Sequence, residues 1–397
     1  MRDSDNRRQR NRATGYFDYS LLFIMFILLG FGLLMIFSAS SYQSFNNFGT
    51  STYYLKRQLL SIIIGVVLMV ICAAVPYNKM LKLLPLLILA SFVFVILVKV
   101  PGFKVERNNA TRWIRLIPGS NLLVFQPVEI VKLMIILSMA KFMDFVGAGI
   151  NKPKTWMGIG GFVGFFAMLI LVLTNNLSSA LIICAIAVAM FFVACPRFDI
   201  FVIGALACAA VAVIAVLVAV KAPPGSHFRF GRITAWLNPE SSENGYQVLQ
   251  GLYAIGSGGL WGKGLGQSME KLSYLPEAQN DMIFSIICEE LGIFGAIAVI
   301  LLFVLLIWRM TIVAFMAPDL KGSLIVTGVL AHIAVQAVLN IAVVTNSIPN
   351  TGVSLPFISY GGTSVSFLMA EMGFVFGISM RSGGIRKRPR VQEGEAV

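Results

Sequence analysis

Ten apolar runs, near 19–40, 58–75, 80–100, 127–147, 157–174, 177–195, 199–220, 282–307, 322–345 and 360–380, constrain this chain more than any other feature. Each approaches the roughly 20 residues that a helix needs to cross a hydrocarbon core. Asn175-Asn176 supply the tight turn that divides the fifth run from the sixth. Composition agrees: 57% of residues are hydrophobic and 12% charged, against about 45–50% and about 25% in soluble domains. The expected fold class is all-α, a polytopic membrane protein of about ten transmembrane helices, and a soluble enzyme is excluded.

An even number of spans puts both termini on one side. The arm at 1–16 carries Arg2, Arg7, Arg8, Arg10 and Arg12, and the tail at 381–397 carries Arg381, Arg386, Lys387, Arg388 and Arg390. Basic flanks stay cytoplasmic, so both ends are read as cytoplasmic around a membrane domain at 17–380. The short loops this topology places inside agree, with Lys79 and Lys82, Lys152 and Lys154, Arg197, Arg309 and Lys321. The net charge of +13 therefore reflects orientation and anionic lipid, with no nucleic-acid partner implied. Three of the outside segments stand out. Pro101–Phe125 holds Lys104, Arg107, Arg112 and Arg115 against the single acid Glu106, which runs against the positive-inside tendency, so either this topology is wrong or the cations bind an anion there. The 221–281 segment is a long extracytoplasmic loop, of a length that is usually functional. Asn346–Ile358 is uncharged and stiffened by Pro349 and Pro356; it reads as a partly re-entrant connection that could cover a cavity.

The five cysteines lie in or beside apolar runs without CxxC spacing, so they read as small hydrophobes. Two histidines, His227 and His332, have no ligand partner nearby in sequence. The glycine-rich stretch Ala254–Ser268 lacks a phosphate-loop pattern: Ser257 stands where glycine is required, and Gly264 where Ser or Thr is required. A close-packing backbone with one cation, Lys263, remains. Pro127 suits a first helical turn, and Glu129 and Lys132 share a helical face at i, i+3, where they can simply neutralise each other or line a cavity.

Asp281 opens the eighth run. An aspartate there is most often a helix cap. Three features argue for more: Glu277 lies four residues earlier, Glu289 and Glu290 follow on the same run, and no nucleophile–base set or G-x-S-x-G elbow competes.

The motifs Arg112-Trp-Ile114, Phe125-Gln-Pro127 with Glu129 and Lys132, Asn238-Pro239, Gly245-Tyr-Gln247 with Gln250, Ala254–Gly259, Gly262–Gly266, Leu275-Pro-Glu-Ala278 with Asp281, Glu289-Glu-Leu-Gly292 and Leu355–Gly362 occur in one order and spacing. Together they resemble the SEDS family (shape, elongation, division and sporulation), on the FtsW and SpoVE side rather than that of RodA, over about 17–380. The resemblance implies ten transmembrane helices in a bacterial cytoplasmic membrane and polymerisation of lipid II into glycan strands. It also implies a class B penicillin-binding protein and other divisome proteins as partners, an essential aspartate at Asp281, and Glu129 and Lys132 in the central cavity. Thr174–Ser179 departs from the family's Gln-Pro-Asp-Leu-Gly-Thr, so that turn receives no catalytic role. Val128 and Thr351 depart as well, which leaves division and sporulation undistinguished.

Joining an acceptor 4-hydroxyl to the anomeric carbon of a polyprenyl diphosphate donor needs a carboxylate base and positive charge on the leaving group. Asp281 is the expected base. Arg112, Lys263 and Arg232 are the candidates for the diphosphate, and Glu129 and Lys132 shape the cavity. Glu277 stands to assist Asp281 or to hold a divalent cation, Mg²⁺ or Mn²⁺, with it. The competing expectations are a flippase for the same lipid, which an inverted repeat would favour, and a non-catalytic division scaffold.

Overall fold

The computed structural model describes residues 17–107, 110–115, 124–195, 197, 199, 201–202, 228–240, 245–272 and 274–382. Cys208, His227, residues 1–16 and 383–397, and all but residues 199, 201 and 202 of the expected span at 199–220 lie outside them. The chain forms α1 (Tyr19–Phe48), α2 (Tyr53–Ala74), α3 (Tyr77–Leu97, with a 3-10 turn at Leu81–Leu83), α4 (Pro127–Val146), α5 (Pro153–Thr174) and α6 (Leu177–Ala194). It continues with α7 (Phe228–Leu237), α8 (Tyr246–Gly258), α9 (Ile283–Met316), α10 (Leu320–Val344) and α11 (Thr363–Arg381). Eight of these are long and apolar enough to cross a membrane. The expected fourth span, α4, falls outside that set because Glu129, Lys132, Lys141 and Asp144 interrupt its apolar sequence.

Local chemistry sets the helix ends. Asp18 caps α1 by accepting from the Leu21 N–H at 3.0 Å, and Gly49 ends it with φ 69°. Lipid is as apolar as a side chain, so helix pairs in a bilayer depend on close packing. Here α2 and α11 meet through glycines: a Cβ on Gly373 would lie 2.4 Å from the Met69 carbonyl oxygen, and one on Gly65 2.6 Å from Met369 Sδ. Arg381 then donates to the Ala73 and Ala74 carbonyls at the end of α2.

Two departures from the sequence reading matter for the site. Within Pro101–Phe125 an antiparallel sheet forms from β1 (Lys104–Arg107), β2 (Ala110–Arg115) and β3 (Val124–Phe125), anchored by the buried Ile114 and Phe125. Val105 pairs with Trp113 and Glu106 with Thr111, so Arg112 is the extra residue of a bulge, a device that re-aims a side chain. The 346–358 connection is woven into the bundle and does not hang over it as a lid: Leu355, Phe357 and Ile358 are fully buried, and the chain presses on Gly32, in the middle of α1.

The glycine-rich stretch after α8 acts through its backbone. α9 breaks at Gly292 (φ 67°, ψ −164°). Lys263 and Gly264 N–H groups donate to the Glu289 and Glu290 carbonyls, while Ile293 and Phe294 N–H groups donate to Gly259 and Leu260. A Cβ on Gly292 would lie 2.4 Å from Gly262 N. Gly292→Ala is therefore expected to cost on the order of 1–3 kcal/mol or more, read as a lowered thermal midpoint of the detergent-solubilised protein, whereas Gly30→Ala, with open space at its Cβ, should leave it unchanged.

Candidate active site

Asp281 is positioned by its backbone. The Asn340 side-chain amide, on α10, donates to the carbonyls of Asp281 and of Val353, both at 2.7 Å. Just before it, Tyr360 N–H donates to the Gln279 carbonyl at 2.9 Å, and Glu277 turns the chain through φ 55°. The helix that follows is capped by Met282 with no side-chain bond, so the carboxylate of Asp281 is not spent as a cap. Gln247 Nε2, on α8, donates to its Oδ1 at 3.5 Å. Gln247 also accepts from Asn350 Nδ2 at 2.9 Å, and the Asn350 carbonyl accepts from Arg232 at 3.4 Å. Segments distant in sequence thus converge: β2, α7, α8, the 275–281 turn, α10 and the 350–360 connection.

The electrostatics follow from this crowding. Asp281 keeps a partly exposed edge, but protein surrounds its carboxyl, and burial pushes it up to about 7. Glu277 pushes the same way, while a hydrogen bond from its own backbone, Arg232 and Arg112 pull it back. Burial and the neighbouring Arg232 lower the Arg112 guanidinium from its ordinary value, and Asp281 opposes them. The buried Arg112 Nε has no hydrogen-bond partner among the described residues. A carboxylate near neutrality faces two guanidinium groups, which is the pairing needed for deprotonating a hydroxyl beside an anionic leaving group.

Of the residues expected from sequence, the structure brings Asp281, Glu277, Arg112 and Arg232 together. It does not bring Lys263 there. Lys263 pairs with Glu289 at 2.7 Å, eight residues or about 12 Å along from Asp281. Glu290 is likewise taken, by Lys271 at 2.7 Å and Ser38. Glu129 and Lys132 lie inside the domain, paired at 2.8 Å, and belong to a longer chain. Lys132 Nζ lies 2.8 Å from His332 Nε2, and His332 Nδ1 lies 2.7 Å from Glu371 Oε2. His332 and Glu371 are wholly buried and tie α4, α10 and α11. With Lys132 donating to Nε2, the His332 N–H points at Glu371.

The sequence named Gln247 in a motif and His332 as an isolated histidine without giving either a site role, and it passed over Asn340, Asn350 and Glu371. One signal was available. His332, Gln336 and Asn340 recur every four residues and so form one polar face on a spanning helix, and all three are buried. Among the described residues no group of three His, Cys, Asp or Glu side chains could hold a metal. Asp281 and Glu277 offer two carboxylates, which suits a Mg²⁺-like ion that completes its shell with water and substrate phosphate.

The fold and site define a polytopic membrane protein with a buried carboxylate facing two arginines at one end of its helix bundle. Comparison with known proteins gives the family: the Cell cycle protein family of FtsW, RodA and SpoVE matches residues 19–383, and the chain belongs to it. It is 38% identical to Stage V sporulation protein E of Bacillus subtilis (strain 168) over 367 residues, covering 92% of this chain and 97% of that protein. It is 35% identical to the probable peptidoglycan glycosyltransferase FtsW of Trichlorobacter lovleyi, covering 91% and 93%. A solved structure concerning the coordination of polymerization and crosslinking by a peptidoglycan synthase complex matches with TM-score 0.75 at 23% identity, covering 93% of this chain and 99% of that one. Thermus thermophilus rod shape determining protein RodA matches with TM-score 0.64 at 24% identity, covering 93% and 98%.

The buried chain makes a stability prediction. Lys132→Met strips the cation from between Glu129 and His332–Glu371 and leaves two carboxylates in an apolar interior. It should destabilise the domain by about 3–5 kcal/mol. Glu371→Gln keeps an acceptor for His332 and should cost far less, with thermal denaturation in detergent giving the comparison.

Proposed function

We infer that this chain is a peptidoglycan glycosyltransferase of the membrane, polymerising lipid II into glycan strands with Asp281 as the base. The observation that carries the reading is the raised carboxyl of Asp281 set against Arg112 and Arg232. The basic flanks orient this end of the bundle outward, so the reaction runs on the outer face of the bacterial cytoplasmic membrane. Names of relatives support the activity, and the synthase complex matched in fold supports a partner that cross-links the strands; the same reading takes that partner to be of the class B penicillin-binding type, with other divisome proteins around it at the septum.

In this mechanism Asp281 accepts the proton of the acceptor's 4-hydroxyl as the oxygen attacks the anomeric carbon of the donor. The bond from that carbon to the diphosphate oxygen breaks, and the polyprenyl diphosphate leaves against Arg112 and Arg232. Gln247 and Asn340 hold the Asp281 carboxylate and backbone in place. A divalent cation, when bound by Asp281 and Glu277, supplies further neutralisation of the diphosphate. Lys263, held by Glu289, takes no part. The Glu129–Lys132–His332–Glu371 chain ties α4, α10 and α11 to one another inside the bundle.

Asp281→Asn keeps the backbone bonds to Asn340 and should insert normally but form no glycan strands from lipid II on a gel, with or without the penicillin-binding partner. Full activity in that variant rejects the assignment. Transport of lipid II across vesicle membranes by the wild type without strand formation favours a flippase.

The base must be ionised, so the wild-type rate should rise with pH along a limb centred near 7. Glu277→Gln removes a negative neighbour and shifts that limb to lower pH. Arg232→Gln removes a positive one and shifts it higher. A limb that stays fixed in both variants would sink the proposed titration of Asp281.

A further inference from the structure

At the end of the bundle opposite Asp281, a cavity of about 600 Å³ opens between α3, α4 and α5. Its walls are apolar: Leu84 and Ile88 from α3, Met139 and Phe142 from α4, Ile159 and Phe162 from α5. Gly158 adds no side chain, and a Cβ there would meet nothing within 4 Å. Phe145, beside the opening, is 86% exposed, as suits a ring in lipid. Three charged groups line the same cavity, Lys141, Asp144 and Lys321. Lys141 is exposed and spends one N–H on the Leu81 carbonyl at 3.2 Å. Lys321 touches Asp144 only at 3.4 Å. Ser138 is already engaged with Met134 Sδ.

The depth is set by the elements. Lys321 lies in the first turn of α10, and Asn340, beside Asp281, lies nineteen residues or about 28 Å further along. This is roughly the thickness of a hydrocarbon core. The lysines therefore stand at the headgroup level of the leaflet where the basic tails lie. Trp156, whose indole N–H donates to the Ile150 carbonyl at 2.6 Å, marks the same level in the way interfacial tryptophans do.

We propose that this cavity is a binding site for one anionic glycerophospholipid of the cytoplasmic leaflet. Its phosphate sits between Lys141 and Lys321, and an acyl chain runs along Leu84, Ile88, Ile159 and Phe162. The occupant follows from charge and shape together. Apolar walls alone would take any lipid tail, but two cations against one acid select a negative head, because lysines at a membrane surface attract anionic lipid. Asp144 is the counterweight: by holding Lys321 it limits the positive charge offered to the phosphate. The site is remote from the Asp281 chemistry and does not depend on it.

The test uses the full-length protein purified in mild detergent and given equimolar phosphatidylglycerol, phosphatidylethanolamine and phosphatidylcholine, with retained lipid read by native mass spectrometry. One phosphatidylglycerol per chain should be retained preferentially. Lys141→Gln with Lys321→Gln should lower that retention by about thirtyfold, and Gly158→Leu should lower retention of all three by filling the cavity. Asp144→Asn, which frees Lys321, should raise phosphatidylglycerol retention, an increase that loss of fold does not produce. Equal retention of the three lipids, or retention unchanged in the double lysine variant and in Asp144→Asn, overturns the proposal. Binding of a polyprenyl phosphate in place of phosphatidylglycerol overturns it as well.

Discussion

A helix that breaks inside an apolar domain leaves carbonyls and amides that lipid cannot satisfy. The break at Gly292 is the constraint on which this molecule's working end depends. The loop after α8 answers it strand-fashion, giving two amides to the end of one half-helix and two carbonyls to the start of the next. Only glycine fits on both sides, since a Cβ on Gly262 would lie 2.3 Å from the Glu290 carbonyl oxygen. The same contact seats α8 against the first half of α9, with a Cβ on Gly258 only 2.0 Å from the Cys288 carbonyl oxygen. Gln247, on the preceding turns of α8, is thereby held beside Asp281.

Charge placement follows the same economy. Each acid in the apolar interior meets a cation or a strong donor: Asp18 with Arg309, Glu289 with Lys263, Glu290 with Lys271, Glu129 with Lys132. Asp281 differs, because the groups that press on it do so across space more than through short bonds. A buried ion pair is weak support for stability, yet losing one partner is costly. The paired acids consequently act as fixed joints within a helix or between chain segments, and Asp281 is left as the carboxylate whose proton can come and go.

What the sequence made legible was the one-dimensional part. Run length and basic flanks placed the spans, the motif order placed Asp281, Glu277 and Arg112 in one reading, and the charge of a diphosphate leaving group added Arg232. The cap explanation for Asp281 could be weighed but not settled, because it turned on whether the helix starts at 281 or two residues later. Three features were hidden for a physical reason. The bulge that aims Arg112 is a matter of strand register, which composition does not reveal. Lys263 looked available for a phosphate because its partner, Glu289, lies twenty-six residues away. His332 looked isolated because its partners stand 200 and 39 residues away. Its placement on a polar face with Gln336 and Asn340 carried the signal, and that face needed a helical period, not a neighbour search, to be seen.

The balance at Asp281 also bears on when the base works. Burial and Glu277 raise its proton affinity; Arg232 and Arg112 lower it. A diphosphate seated on those guanidinium groups cancels much of their field at the carboxylate. Proton affinity then rises in the loaded site, which under the proposed mechanism makes Asp281 a stronger base when a donor is present. The arginines proposed to hold the leaving group also limit how far the carboxyl is raised while the site waits. On this reading the raised carboxyl is more than a by-product of burial, since the same groups set both the resting charge of the base and its strength once substrate arrives.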